Sequence, residues 1–256
     1  MKVNVALITG IIRDEVAADV WGTLAQVAAM GYQGLEFGPG LAEQAGLSHA
    51  ETKQRLDDLG LRTFSYGTVL HPQDMGKLDG LIEEAHIYDC RYLATFWAPC
   101  DSREQVLTYA EFFNKAGAKL KENGLTLCYH NHDHEFRGVF DGERGIDILF
   151  NNTDPDLVKA EIDVAWVHFG GADPVKHIGA FKGRAPLIHI KDIYSDEVRG
   201  AWAEVGTGIV NIAGSIEAGA RYGADWFIVE QDQPRDLPPM ESIKASIDNL
   251  KKMGFV

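Results

Sequence analysis

The chain has 256 residues, 45% of them hydrophobic and 24% charged, the balance of a globular domain and not of a disordered or fibrous chain. A formal net charge of -14 with no Lys/Arg-rich run repels phosphate polyanions and anionic membranes, which excludes nucleic acid as an expected partner. No apolar run reaches the roughly 18 residues of a membrane span, and MKVNVALITG lacks the layout of a signal peptide. Cys90, Cys100 and Cys128 form no CxxC pair, so a cytoplasmic protein with reduced thiols is expected.

β-rich runs then recur along the chain. VNVALI (3–8) and GLEF (34–37) come first, separated by a stretch in which Val20, Leu24, Val27 and Ala28 share one helical face. LRTFSYGTV (61–69) and YLATFW (92–97) follow. Asp101-Ser102-Arg103-Glu104 has the composition of a helix start, and Phe113, Ala116 and Leu120 continue one apolar face toward LTLCYH (125–130). VKAEIDV (158–164) precedes a second helix start at Asp173-Pro174, and PLIHIKD (186–192) comes next. Ile209, Ile212 and Ile216 form a stripe before WFIVEQD (226–232), and Ile243, Ile247 and Leu250 form the last one.

Gly31, Gly60, Gly124 and Gly223 each stand where a helix should end just before a strand, the place for a left-handed C-cap. Strand candidates about 30 residues apart, near-continuously apolar and uninterrupted by a linker, predict one α/β domain over 1–256: a closed (β/α)8 TIM barrel. The competing doubly wound sheet has little support. The first strand runs into TGIIRDEV, without the GxGxxG of a dinucleotide site.

In a parallel barrel the chemistry gathers at the C-terminal strand ends. Those ends carry Glu36 in GLEFGP, Tyr66 in FSYGT, Trp97 in TFWAP, the heptapeptide YHNHDHE (129–135), Glu161 and Asp163 in AEIDV, His189, Lys191 and Asp192 in HIKD, and Glu230 and Asp232 in VEQD. An ionised carboxylate after a buried apolar run is costly unless it is paired, hydrogen-bonded or bound to a cation, and a divalent metal resolves the conflict. Carboxylates mixed with one or two imidazoles suit Mn²⁺, Mg²⁺, Co²⁺ or Zn²⁺, with Mn²⁺ first because oxygen ligands dominate. Each residue also has a plain structural role. His130 fits a hydrogen-bonded core histidine, and Glu161 fits a partner that orients Asp163 or pairs with Lys159 or Arg184. Asp192 fits a helix cap, Asp232 a turn residue, and Trp97, Trp166 and Trp202 fit barrel packing as well as a substrate wall. The convergence of several such groups carries the metal reading.

YHNHDHEF, AEIDVAWVHFGGADP, PLIHIKD and EVGTGIVNIAGSIEAGARYGADWFIVEQD, in that order, resemble the sugar phosphate isomerase/epimerase family of xylose-isomerase-like barrels. The resemblance implies a divalent metal held by Glu, Asp, His and Glu from four successive strands, two of the carboxylates also moving protons. Carried over, Asp163, His189 and Glu230 fall on the second, third and fourth ligands. Glu135, the only glutamate of the first motif, falls on the first, with His130, nearer the strand end, as the alternative. Glu135 and Glu230 are then the catalytic carboxylates and His132 a substrate-facing acid or base. His130 and Lys191 then orient substrate oxygens, and Trp97 and Trp166, read from the residues as a substrate wall, are expected to contact substrate beside them. Glu36 resembles a carboxylate that family members place near the second strand end, which would put it at the substrate, or else pairs with a basic residue inside the barrel.

A metal gripping two adjacent oxygens of a hydroxy-ketone acidifies the C–H between them. Returning the proton to the other face epimerises, returning it to the neighbouring carbon isomerises, and expelling a β-hydroxyl dehydrates. The leading expectation is thus a metal-dependent isomerase or epimerase of a ketose-like sugar or polyol, acting through an enediolate. The alternatives are a lyase, dehydrating a keto-inositol or eliminating from a 3-keto-glycoside, and a non-catalytic sugar-binding barrel. EVGTGIV offers the Gly206 and Gly208 amides to an anion, or is only a tight turn; the scarcity of basic residues at the mouth favours an unphosphorylated substrate. Barrels of this type occur alone and as homo-oligomers. Related DNA-repair endonucleases call for more histidine ligands and a basic face, the opposite of this chain's charge.

Overall fold

The apolar runs of the sequence become the staves of a cylinder in the computed structural model, which describes residues 1–234 and 236–256. The barrel strands are β1 (Val5–Ile8), β2 (Gly34–Phe37), β3 (Arg62–Thr68), β4 (Tyr92–Thr95), β5 (Thr126–His130), β6 (Val158–Asp163), β7 (Leu187–Ile190) and β8 (Trp226–Val229). All neighbours pair in parallel, and β1 closes on β8 through Val5↔Phe227, Ala6↔Ile228 and Leu7↔Val229. The protein is a single closed (β/α)8 barrel, as the repeat spacing predicts.

Alternation along the strands decides which side chains reach the interior. Ala6, Phe64, Tyr92, Cys128, Leu187, Trp226 and Ile228 form a buried cluster separate from the main core, the filling of the cylinder. Phe64 and Trp226 stack there at 4.2 Å. Two residues beyond Cys128 comes His130, two beyond Leu187 comes His189, then Lys191, and two beyond Ile228 comes Glu230. The intervening Tyr129, Ile162, Ile188, Ile190 and Val229 pack into the larger core between strands and helices. The period of two thus sends apolar side chains to the helix layer and polar ones to a common axis near the strand ends.

The helix boundaries follow the expected punctuation. Gly31, Gly60, Gly124 and Gly223 adopt φ of 102°, 73°, 75° and 94°, the left-handed conformation that costs glycine least. Ser102 caps the helix Arg103–Glu122 by accepting from the Gln105 amide, and Asp173 caps Pro174–Ala180 through the Val175 and Lys176 amides. Ile209 departs from its expected stripe. It lies before the helix Ile212–Tyr222 and is exposed, because the loop from β7 ends only at Asn211, whose side chain caps that helix.

Two short ribbons decorate the mouth, Val139–Phe140 with Glu143–Arg144 and Asp192–Ile193 with Trp202–Ala203. Among the described residues no helix is long and apolar enough to cross a membrane.

Candidate active site

His130 and Asp163 are the last residues of β5 and β6, His189 lies within β7, and Glu230 follows β8 directly. One donor atom from each comes within 4.8 Å of all the others. His189 Nδ1 is 2.7 Å from Glu230 Oε2, and His130 Nε2 is 3.8 Å from Asp163 Oδ2 and 3.9 Å from Glu230 Oε2. Asp163 Oδ1 accepts from the Ala165 and Trp166 amides at 2.8 and 3.0 Å, capping the helix Val164–Phe169. Its Oδ2 is buried without a hydrogen-bond partner among the described residues. A buried carboxylate oxygen without a hydrogen bond, beside two imidazoles and a second carboxylate, is a donor arrangement a divalent cation satisfies, so these residues fit the metal the sequence calls for.

Behind this group lie two fully buried carboxylates. Glu161 Oε1 is 2.9 Å from both His130 Nδ1 and His189 Nε2. Glu36 accepts from the Ser65 hydroxyl at 2.5 Å and reaches His189 Nε2 at 2.8 Å. Burial, reinforced by Glu161, pushes the Glu36 carboxyl up to about 7. Burial acts on Glu161 in the same direction, but the imidazoles of His189 and His130 outweigh it and bring that carboxyl down to about 2. Asp163 rises to about 6, burial prevailing over the Lys191 ammonium. For His189 burial opposes the charged form, yet Glu161, Glu36 and Glu230 hold it well above the ordinary imidazole range.

Lys191 is fully buried, its ammonium 4.8 Å from the Trp166 ring and 4.3 Å from the Trp202 ring. It forms a 2.7 Å ion pair with Asp232 Oδ2 and stands 3.5 Å from both Asp163 Oδ2 and Glu230 Oε1. Although burial works against the charge, these carboxylates raise its pKa and keep it an ammonium.

Above the donor group opens a cavity of about 570 Å³, lined by Trp97, His132, Trp166, Trp202, Glu230 and Arg199 among others. The His132 ring lies 5.2 Å from Trp97 and 5.3 Å from Trp166, and its Nδ1 has no partner among the described residues. Burial, with His130 and Lys191 beside it, lowers His132 to about 2, so the ring is neutral. An apolar aromatic wall above a charged floor is the form of a small-molecule site.

Residues 24–253 match the family described as the xylose isomerase-like TIM barrel. The chain belongs to that family. A sugar phosphate isomerase/epimerase from Parabacteroides distasonis superposes on it with a TM-score of 0.82 and 25% identity, covering 98% of this chain and 94% of that one. The inosose dehydratase of Clostridium perfringens is 31% identical over 115 residues, 45% of this chain and 35% of its own length. That of Clostridium tetani is 30% identical over 165 residues, 57% of this chain and 54% of its own length. Both matches span less than two thirds of the dehydratase concerned.

Set on this family's barrel, the expected residues divide. Asp163, His189 and Glu230 converge, and His130 converges with them. Glu135, expected as first ligand and catalytic carboxylate, does not. The chain leaves β5 at His130, and Asn131 pins the turn to β6 by accepting from the Asp163 amide at 3.1 Å. Glu135 lies beyond that turn in the short helix His134–Arg137, where its carboxylate accepts from the Tyr129 hydroxyl and, at 2.9 Å, from the His132 amide. It faces the helix layer and a separate small cavity beside Cys100 and Leu149. Glu36, expected near substrate, instead sits beneath His189, fully buried and outside the cavity lining. Trp97 and Trp166 line the cavity, while Lys191 sits behind Trp166 and Trp202.

Arg199 was not legible as a site residue. Its guanidinium lies 4.4 Å from the Trp166 ring and donates twice to buried Asp133 Oδ1, at 3.2 Å each. It belongs to the loop 194–201, which has no periodicity to read.

The EVGTGIV loop is the tight turn, with Asp192 as its organiser. The Gly206 and Gly208 amides donate to Asp192 Oδ2 at 3.0 and 2.9 Å, and the Ile193 and Val210 amides donate to Oδ1 at 2.9 and 3.1 Å. These N–H groups are already satisfied by a carboxylate, so the loop offers no anion cradle. Asp192→Ala is therefore expected to destabilise the barrel by about 2–3 kcal/mol, since four amides, those of Ile193 and Val210 buried and those of Gly206 and Gly208 part-buried, lose a charged acceptor. Urea unfolding measures this, and an unchanged midpoint contradicts it.

Proposed function

We propose that the protein is a divalent-cation-dependent lyase that removes water from a keto-polyol of the inosose kind. The observation that carries this is the placement of Glu230. One of its oxygens belongs to the converging donors, and the other stands 3.5 Å from Lys191 at the floor of the cavity. His130, Asp163, His189 and Glu230 would hold the cation, which supplies Lewis-acid stabilisation of charge developing on adjacent substrate oxygens. With two nitrogens and two carboxylates the donor set favours Mn²⁺, Co²⁺ or Zn²⁺ over Mg²⁺.

The protein side of the reaction follows from the residues in place. Glu230 Oε1 takes the proton from the carbon beside the carbonyl, and the C–H electron pair moves into the new double bond. The same proton passes to the β-hydroxyl, which departs as water. Lys191 keeps Glu230 ionised before the transfer and shields its charge. Trp97, Trp166 and Trp202 stack on the carbon face of the ring and displace water, with the neutral His132 ring lining the same cavity beside them. The similarity to two inosose dehydratases supports dehydration. Isomerisation, the second reading, is supported by the Parabacteroides structure and requires only that Glu230 return the proton to the neighbouring carbon.

Incubating Mn²⁺-loaded protein in D₂O with a keto-inositol and a ketose panel separates the two. Loss of water from the keto-inositol is the expected result. Solvent deuterium appearing in an isomerised ketose without water loss favours isomerisation, and no turnover of any of them overturns both.

A further inference from the structure

Among the described residues, one side chain touches both imidazoles of the donor group without belonging to it. Glu161 lies on β6 two residues before Asp163, so both point into the barrel, Glu161 a layer deeper. A single oxygen, Oε1, is 2.9 Å from His130 Nδ1 and 2.9 Å from His189 Nε2, while Oε2 is buried and unpartnered. The two rings stand nearly perpendicular, at 82° with centroids 4.5 Å apart. The nitrogens turned away from Glu161 are therefore of opposite kind: Nε2 on His130, facing Asp163 and Glu230, and Nδ1 on His189, facing Glu230.

An imidazole ligates through the nitrogen that carries no proton, and the hydrogen bond at the other nitrogen selects which one that is. We propose that Glu161 is a positioning residue that fixes opposite tautomers in the two histidines, Nδ1–H in His130 and Nε2–H in His189, so that both free lone pairs meet at one point. His189 has a second holder, because Glu36 Oε2 reaches the same Nε2 at 2.8 Å. Among the described residues His130 Nδ1 has only Glu161 as a partner, and it must adopt Nδ1–H, the tautomer that free histidine disfavours. Glu161 therefore matters more than Glu36. The inference rests on the cation reading of the preceding section.

The test uses Zn²⁺, which is diamagnetic, added to metal-stripped protein. Long-range ¹⁵N–¹H spectra of the histidine-labelled, zinc-loaded wild type should show one imidazole bound through Nε2 and one through Nδ1. Glu161→Gln, with the acceptor charge removed, should weaken Zn²⁺ binding about 10- to 100-fold, Glu161→Leu should weaken it further, and Glu36→Gln should weaken it less than either. Two histidines bound through the same kind of nitrogen in the wild type overturn the proposal without reference to any variant. So does Glu161→Gln protein that binds Zn²⁺ as tightly as the wild type. Wild-type protein that takes up no Zn²⁺, Mn²⁺ or Co²⁺ at all fails earlier, at the cation reading itself.

Discussion

Glu230→Gln should lower kcat by about 10²- to 10⁴-fold, the range over which a positioned general base contributes. The amide keeps the size and packing of the side chain but removes both of its functions. It cannot accept the substrate proton, and its oxygen is a poorer cation donor than the carboxylate that lies 2.7 Å from His189 Nδ1. The change also leaves Lys191 with less countercharge, since Glu230 Oε1 is one of three carboxylate neighbours of that buried ammonium. Asp163 and Asp232 remain, so the fold should survive, and circular dichroism with a melting curve checks that it does. Steady-state kinetics at saturating Mn²⁺ separates the lost base from the lost ligand. A variant that keeps wild-type kcat removes Glu230 from the reaction.

His130→Ala and Glu135→Gln should differ sharply, because the two residues compete for one role in the sequence and stand in different places in space. His130→Ala takes a nitrogen from a four-donor group, and cation affinity should fall by at least about 100-fold, the upper end of what losing even an outer partner of a ligand costs. Glu135→Gln should leave cation content unchanged. Tyr129 donates to Oε1 and the His132 amide to Oε2; in glutamine the amide oxygen keeps the His132 bond and the NH₂ donates to the Tyr129 hydroxyl, which can accept. Any cost should appear as modestly lower stability. Metal analysis of the purified variants decides. Metal lost from Glu135→Gln and retained by His130→Ala restores the first-ligand assignment that the resemblance suggests.

That contrast marks where sequence reasoning reaches its limit in this chain. The strands are legible because their signal is local: LTLCYH, AEIDV, LIHI and WFIV are short apolar runs closed by glycine-punctuated helices. The alternation within AEIDV already places Glu161 and Asp163 on one face. Asp163, His189 and Glu230 converge as the ordered motifs imply, since each sits at or near a strand end and strand ends share one mouth in a parallel barrel.

YHNHDHE is different, because within it a difference of five residues decides everything. His130 is the last residue on β5, and Glu135 lies past the turn that Asn131 makes with β6. That turn depends on a hydrogen bond to a residue 32 positions away, which no window on the heptapeptide contains. The sequence by itself determined the eightfold repeat, the acidic solvated surface and the supply of carboxylates and imidazoles at the strand ends, because propensity, periodicity and charge act over a few residues. Only closure of the cylinder decided which of them meet. It brings Glu36 beneath His189 across 153 positions, gives Glu161 two imidazoles to hold, and lays Arg199 over Trp166, contacts set by barrel geometry and not by any local pattern.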